Sequence, residues 1–115
     1  MRKTLISVKH AVNGLRFVFK EERNFKIELL IGTAILVVCY YFNFDYVEIL
    51  FIVVSIIFVI SAEIINTAIE DLCNKIEPNH DQVIKKIKDM MAGFVLVLTT
   101  GAVIVGIVVF YNHFI

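Results

Sequence analysis

Apolar and polar positions fall into four blocks along the chain. In residues 1–24 they follow the period of a helix: Leu5, Val8, Ala11, Val12, Leu15, Val18 and Phe19 form one continuous arc, and Lys9, Asn13, Arg16 and Lys20 the adjoining one. Ile6 and Phe17 break the pattern. Basic residues dominate the polar arc, which suits a helix lying on an anionic membrane surface better than an ordinary soluble one. The second block runs from about Phe25 to Phe44. Its uncharged part, Leu29 to Phe44, has 16 residues and covers only about 24 Å, so Lys26 and Glu28 belong at or near a membrane interface. Asn43-Phe44-Asp45 makes a short connection. Asp45, with Glu48 three residues on, has the form of an N-cap and capping box that open a helix reaching about Lys75. Tyr40, Tyr41 and Tyr46 gather here as in an interfacial aromatic belt. Pro78 cannot continue a helix, so the break falls near Glu77. Asp81 can cap the next helix, and Met90 to Tyr111 is an uncharged run of 22 residues, enough for a further span. The pattern predicts an all-α integral membrane fold in one domain, residues 1–115: a surface helix over 1–24 and spans at about 25–44, 45–66 and 90–111.

Composition agrees. The hydrophobic fraction is 59% and the mean hydropathy +0.84, above the roughly 45–50% apolar usage of soluble domains. Eleven basic and eleven acidic residues cancel, which gives no support to nucleic-acid binding. Seven of the eleven basic residues lie at or before Lys26, and Lys75, Lys85, Lys86 and Lys88 lie between the second and third spans. By the positive-inside rule the N-terminus and that connection are cytoplasmic, and the C-terminus is outside. Cys39 and Cys73 fall near opposite faces, so no disulfide is expected, and neither belongs to a CxxC pair. The first 24 residues carry too many charges for a cleavable signal peptide.

Charge placement supplies the candidate chemistry. Residues 49–62 carry no charge, and then Glu63, Asn66 and Glu70 arrive together. Spacings of 3 and 7 place them on one helix face. Counting from Val47, a hydrocarbon layer is crossed near residue 66, so the three straddle its boundary. An acid beside so long an uncharged run is unfavourable without a partner. Glu63 and Glu70 lie about 10.5 Å apart along the axis, which favours separate roles: one nearer the hydrocarbon as a base, the other nearer water holding a hard cation such as Mg²⁺. Asn66 between them can orient a hydroxyl or a carboxylate. Lys88-Asp89 opens the third span and Glu21-Glu22 closes the surface helix at the same boundary. This constellation fits phosphoryl transfer at a membrane surface, although no Walker A motif or protein-kinase glycine loop is present. Taken singly, Lys88 reads as a snorkelling lysine and Glu21-Glu22-Arg23 as a solvated charge run. Glu28 has three readings: contact with a substrate headgroup, pairing with Lys26, or pairing with another chain. His10, His80 and His113 are dispersed and suggest no metal site. Two other classes compete. A proton-coupled transporter using Glu63 needs an acid reached from both sides, and a non-catalytic membrane subunit leaves the polar face unexplained.

Glu63-Ile-Ile-Asn66-Thr-Ala-Ile-Glu70 resembles the E-[IL]-[IL]-N-[ST]-A-I-E signature of the prokaryotic diacylglycerol and undecaprenol kinases. Lys88-Asp89-Met90 is similar to that family's Lys-Asp motif, and Gly14-Leu15-Arg16, Glu22 and Phe25 to its N-terminal pattern. The resemblance implies a homotrimer that transfers the ATP γ-phosphate to a lipid hydroxyl with Mg²⁺, its sites shared between subunits. It implies Glu63 as general base with Asn66 shaping the site, and Glu22 and Glu70 as ligands of the metal that accompanies ATP. Lys88 and Asp89 would contact the nucleotide phosphates, with His10 and the Asn79-His80-Asp81 turn near the nucleotide and Glu28 and Ala92 near the lipid. The chain departs from the family pattern at Asn74 (usually Asp), Asp81 (often His), Met91 (typically small) and Phe94 (commonly Ala). Glu21-Glu22-Arg23-Asn24-Phe25-Lys26-Ile27 and Met91-Ala92-Gly93 resemble the Gram-positive branch, which implies undecaprenol as substrate, with diacylglycerol the alternative.

Overall fold

A computed structural model describes residues 2–77, 79 and 81–115. Among them lie four helices: α1 (Arg2–Glu21), α2 (Arg23–Tyr41), α3 (Tyr46–Ile76) and α4 (Gln82–Phe114). The last three are long and apolar enough to cross a membrane. The 31 residues of α3 and 33 of α4 reach roughly 46 and 50 Å, beyond a hydrocarbon layer of about 30 Å. Each therefore has turns to spare outside such a layer. The third apolar run, Met90 to Tyr111, is accordingly only part of α4, which starts at Gln82.

Helix α1 ends where Glu22 turns extended (φ −107°, ψ 111°), while its amide still donates to the Val18 carbonyl at 2.8 Å. Val18 and Phe25 are buried beside this break. Lys26 swings back over the Phe19 ring, 5.3 Å from its centroid, which excludes it as the partner of Glu28.

The α2–α3 connection is closed by its own backbone. Asn43 takes φ 58°, its amide donates to the Tyr40 carbonyl at 3.3 Å, and the Phe44 amide donates to the Cys39 carbonyl at 2.9 Å. This is the Schellman pattern, with asparagine tolerating the left-handed position that ends the helix. The capping box follows at once: the Glu48 amide donates to Asp45 Oδ1 at 2.9 Å, and the Asp45 amide to Glu48 Oε1 at 3.0 Å. Glu77 is extended at the other end of α3, and its amide donates to the Cys73 carbonyl at 3.0 Å. Pro78, the residue expected to enforce that break, lies outside the described residues. Asp81 caps α4, accepting from the Val83 and Ile84 amides at 2.8 and 3.1 Å.

Helix α3 touches all three others, and α4 lies along it most extensively. The core sits toward the α2–α3 turn, where Cys39, Phe44, Ile52 and Val109 are buried together. Gly32 sets the spacing of α2 from α3, since a Cβ there would lie 3.1 Å from Ile56 Cγ2. His113, in the last turn of α4, locks this end. Its Nδ1 lies 3.0 Å from Glu48 Oε1, its Nε2 3.0 Å from the Phe42 carbonyl oxygen, and Phe44 stacks on it at 3.8 Å between centroids. Cys39 and Cys73 are unpaired. Much of the apolar surface is bare, including Leu30, Leu96 and Val97, as expected of helices that face lipid or other helices.

Candidate functional site

At the opposite end from His113, α3 turns its polar face toward α1 and α2. Glu63 is 4% exposed. Thr67, also buried, donates from Oγ1 to the Glu63 backbone carbonyl at 2.9 Å, so its hydroxyl leaves the carboxyl of Glu63 unengaged. Glu28 on α2 faces Glu63 within hydrogen-bonding reach. One of its oxygens, Oε2, is buried with no hydrogen-bond partner among the described residues. Two facing carboxyls at the edge of an apolar core form an unsatisfied arrangement, and such groups point to something missing from the isolated chain.

The missing group has room. A groove of about 520 Å³ opens between α2, α3 and α4, walled by apolar side chains such as Ile31, Ile56, Val103 and Ile107, and Glu28 is the one titratable residue in its lining. It runs from the Glu28–Glu63 level toward the His113 end. An amphiphile with a polar head and a long apolar tail matches that polarity.

On the other side of Glu63 the acids multiply. Glu22, half-buried at the α1–α2 break, faces Glu70, Glu63 and Asp71. Burial first, and then those negative charges, hold its carboxyl above the usual carboxylate range. Glu21 beside it is exposed, and a hydrogen bond with Asp71, then the charge of Asp71, raise it as well. Among the described residues none of these acids has a lysine or arginine within salt-bridge range, nor do three metal-ligating side chains converge into a cage. Glu22 and Glu70 thus form a two-carboxylate site that is short of positive charge. Mg²⁺ held by one or two carboxylates, with waters and phosphates completing its shell, needs no more than that from the protein.

Helix α4 contributes unevenly. Lys88 reaches α3, donating from Nζ to Asn74 Oδ1 at 2.7 Å. Asp89, about 100° further round the helix, stays on the exposed side and pairs with Lys85 at 2.8 Å. The expected convergence of Lys88-Asp89 as a unit is therefore not present within one chain: Lys88 arrives and Asp89 does not. Asn66 lies half-buried between Glu63 and Glu70, while His10 on α1 and Ala92 on α4 are exposed. The Asn79 amide donates to Glu77 Oε1 at 3.2 Å, the Asp81 carboxylate is engaged in capping α4, and His80 lies outside the described residues.

Sequence reading missed three contacts. It left Glu28 without an assigned partner, although counting back from Asn43 and forward from Asp45 brings Glu28 and Glu63 to nearly the same level. It passed over Asp71, one residue past the motif, and it noted Asn74 as a departure from the family pattern without seeing that it continues the 63-66-70 stripe.

The family model for prokaryotic diacylglycerol kinase matches residues 9–110, a stretch that contains every group of the acidic face and Lys88. The chain belongs to the prokaryotic diacylglycerol kinase family. A diacylglycerol kinase of Synechocystis sp. is 28% identical over 103 residues, 89% of this chain and 59% of that protein, so the chain spans little more than half of that relative. An undecaprenol kinase of Bacillus subtilis is 31% identical over 104 residues, 90% of this chain and 85% of that protein. A diacylglycerol kinase of Haemophilus influenzae is 26% identical over 102 residues, 89% and 84% of the two chains. Membership makes this a lipid kinase family protein with multiple membrane-crossing helices. The relatives' names divide between two lipids at similar identity, so they do not select one.

Proposed function

We propose that this protein transfers the γ-phosphate of ATP to the hydroxyl of a membrane lipid, undecaprenol in the first instance, from the cytoplasmic side of a bacterial cell membrane. The observation that carries the reading is the pairing of buried Glu63 with half-buried Glu28 at the head of an apolar groove, with the charge-deficient Glu22–Glu70 site beside it. The lipid tail occupies the groove with its head beside Glu28, and its hydroxyl donates to Glu63 while Asn66 orients it. Glu63 accepts the hydroxyl proton as the oxygen attacks the γ-phosphorus. The bond to the β-phosphate oxygen breaks, ADP leaves, and Glu63 returns its proton to water. Glu22 and Glu70 would hold Mg²⁺, which would supply charge neutralisation for the phosphates of ATP. Lys88 contacts those phosphates, and His10, Asn79, His80 and Asp81 border the nucleotide.

Asp89 and Ala92 acquire their roles in a homotrimer, where α4 of one subunit closes the site of its neighbour. The exposed apolar faces of α2 and α4 support that assembly. Residues 1–24 then lie on the membrane surface. The Gram-positive likeness and the Bacillus subtilis relative favour undecaprenol, and the two diacylglycerol kinase relatives keep diacylglycerol as the second reading.

The test is phosphate transfer from γ-³²P-ATP by purified protein in detergent micelles containing undecaprenol, diacylglycerol or no added lipid. Labelled undecaprenyl phosphate is the expected product, and labelled phosphatidic acid alone reverses the substrate assignment. Absence of transfer to either lipid defeats the kinase reading in favour of a transporter or a non-catalytic subunit.

A further inference from the structure

We propose that Asn74 is a positioning residue that holds the Lys88 ammonium at the acidic face of α3, where nucleotide phosphates arrive; this rests on the lipid-kinase reading above. Residues 63, 66, 70 and 74 follow one another at spacings of three and four, so Asn74 extends the stripe of Glu63, Asn66 and Glu70 by one turn. Lys88 belongs to another helix, and its Nζ meets Asn74 Oδ1 at 2.7 Å.

A lysine side chain is a flexible stem carrying three donors. One fixed acceptor selects a single placement of the ammonium and leaves two N–H groups for other partners. The acceptor here is a carboxamide oxygen, which fixes the ammonium through one hydrogen bond and carries no charge of its own. Lys85 shows the contrary arrangement: it is joined to the Asp89 carboxylate at 2.8 Å, which answers its charge. Lys88 is therefore held at the turn of α3 that follows Glu70, with no carboxylate within salt-bridge range among the described residues and with N–H groups left to receive phosphate.

The same bond also has a purely structural reading. Among the described residues it is the side-chain hydrogen bond that joins α3 to α4 at this end, as His113–Glu48 does at the other. A staple and a positioning contact differ in what their loss does to ATP.

The experiment uses the full chain in lipid–detergent micelles, with the lipid substrate saturating and MgATP varied. It compares wild type, Asn74→Ala, Asn74→Asp, Lys88→Ala and the Asn74→Ala/Lys88→Ala double variant. Asn74→Ala should raise the KM for ATP about fivefold, on the scale of one net hydrogen bond, with kcat falling less than twofold. The double variant should be no worse than Lys88→Ala, and Asn74→Asp, which keeps an acceptor oxygen, should fall short of the alanine effect. Binding of trinitrophenyl-ATP without lipid should follow the same order. An unchanged KM and analogue affinity in Asn74→Ala, with or without a lower Tm, overturn the proposal and leave a staple. Additive losses in the double variant also overturn it. Failure of the underlying reading looks different: the wild type binds the analogue through Asn74 and Lys88 but phosphorylates no lipid.

Discussion

Glu48 and Glu63 are both sheltered acids on α3, and they are treated in opposite ways. Glu48 accepts from the Asp45 amide and from His113, whose other nitrogen meets the Phe42 carbonyl. Both ring nitrogens of His113 thus have an oxygen within hydrogen-bonding distance. Glu63 is more deeply buried and faces another acid, Glu28. One end of the bundle thus contains the partners of its own polar groups. The other carries Glu21, Glu22, Glu28, Glu63, Glu70 and Asp71 with no base answering them among the described residues. Buried acids without partners destabilise a fold, and the proposed function gives Glu63 and its neighbours a use for that cost.

The contrast is broken most severely by Glu63→Gln. Loss of the base should lower kcat by about 10²- to 10⁴-fold with the assembly unchanged in size-exclusion chromatography; comparable turnover by mutant and wild type removes Glu63 from its role. Glu70→Gln should act next, raising the Mg²⁺ concentration needed for half-maximal rate by about tenfold or more, whereas an unchanged Mg²⁺ titration separates Glu70 from the cation.

A pH series sharpens the comparison further. Glu21 and Glu22 are raised above 4.5 in the folded chain. Their contribution to stability is fully present below the unfolded value and is lost as pH rises through the raised folded values. Without divalent cation, Tm should therefore decline as pH climbs from 4.5 toward neutrality, and Mg²⁺ should restore it at neutral pH but not at pH 4.5. An equal Mg²⁺ effect at both pH values points to a cation site away from Glu22. The smallest effect belongs to the self-sufficient end. His113→Ala should lower stability by about 1 kcal/mol, the scale of a net hydrogen bond, seen as a lower Tm in detergent with kcat within twofold of wild type. A large kcat loss there would show that the two ends are coupled.

The sequence made legible what depends on local rules. The capping box at Asp45, the cap at Asp81 and the break at Glu77 arise from side chains a few positions apart. The 63-66-70 stripe comes from helix period alone. Contacts between helices were harder to read. The meeting of Glu28 with Glu63 depends on how α2 leans on α3 at Gly32, and the choice of Lys88 over Asp89 on how α4 is rotated about its axis. Periodicity does not fix rotation in a helix whose apolar residues run all round, as those of α4 do. The His113 contact was missed because its partners, Glu48 and Phe42, belong to elements distant in the chain.

The Asp45 cap is also the zero mark of a ruler. A rigid helix leads from it without interruption to the acidic face, so both the height and the bearing of Glu63 are set by the number of residues between them. Substitutions between 46 and 62 that preserve apolar character leave that reading unchanged. Adding or deleting one residue there rotates Glu63, Asn66 and Glu70 by about 100° and shifts them by about 1.5 Å, turning the whole site away from Glu22 and Glu28. In this stretch the chain tolerates errors of spelling better than errors of counting.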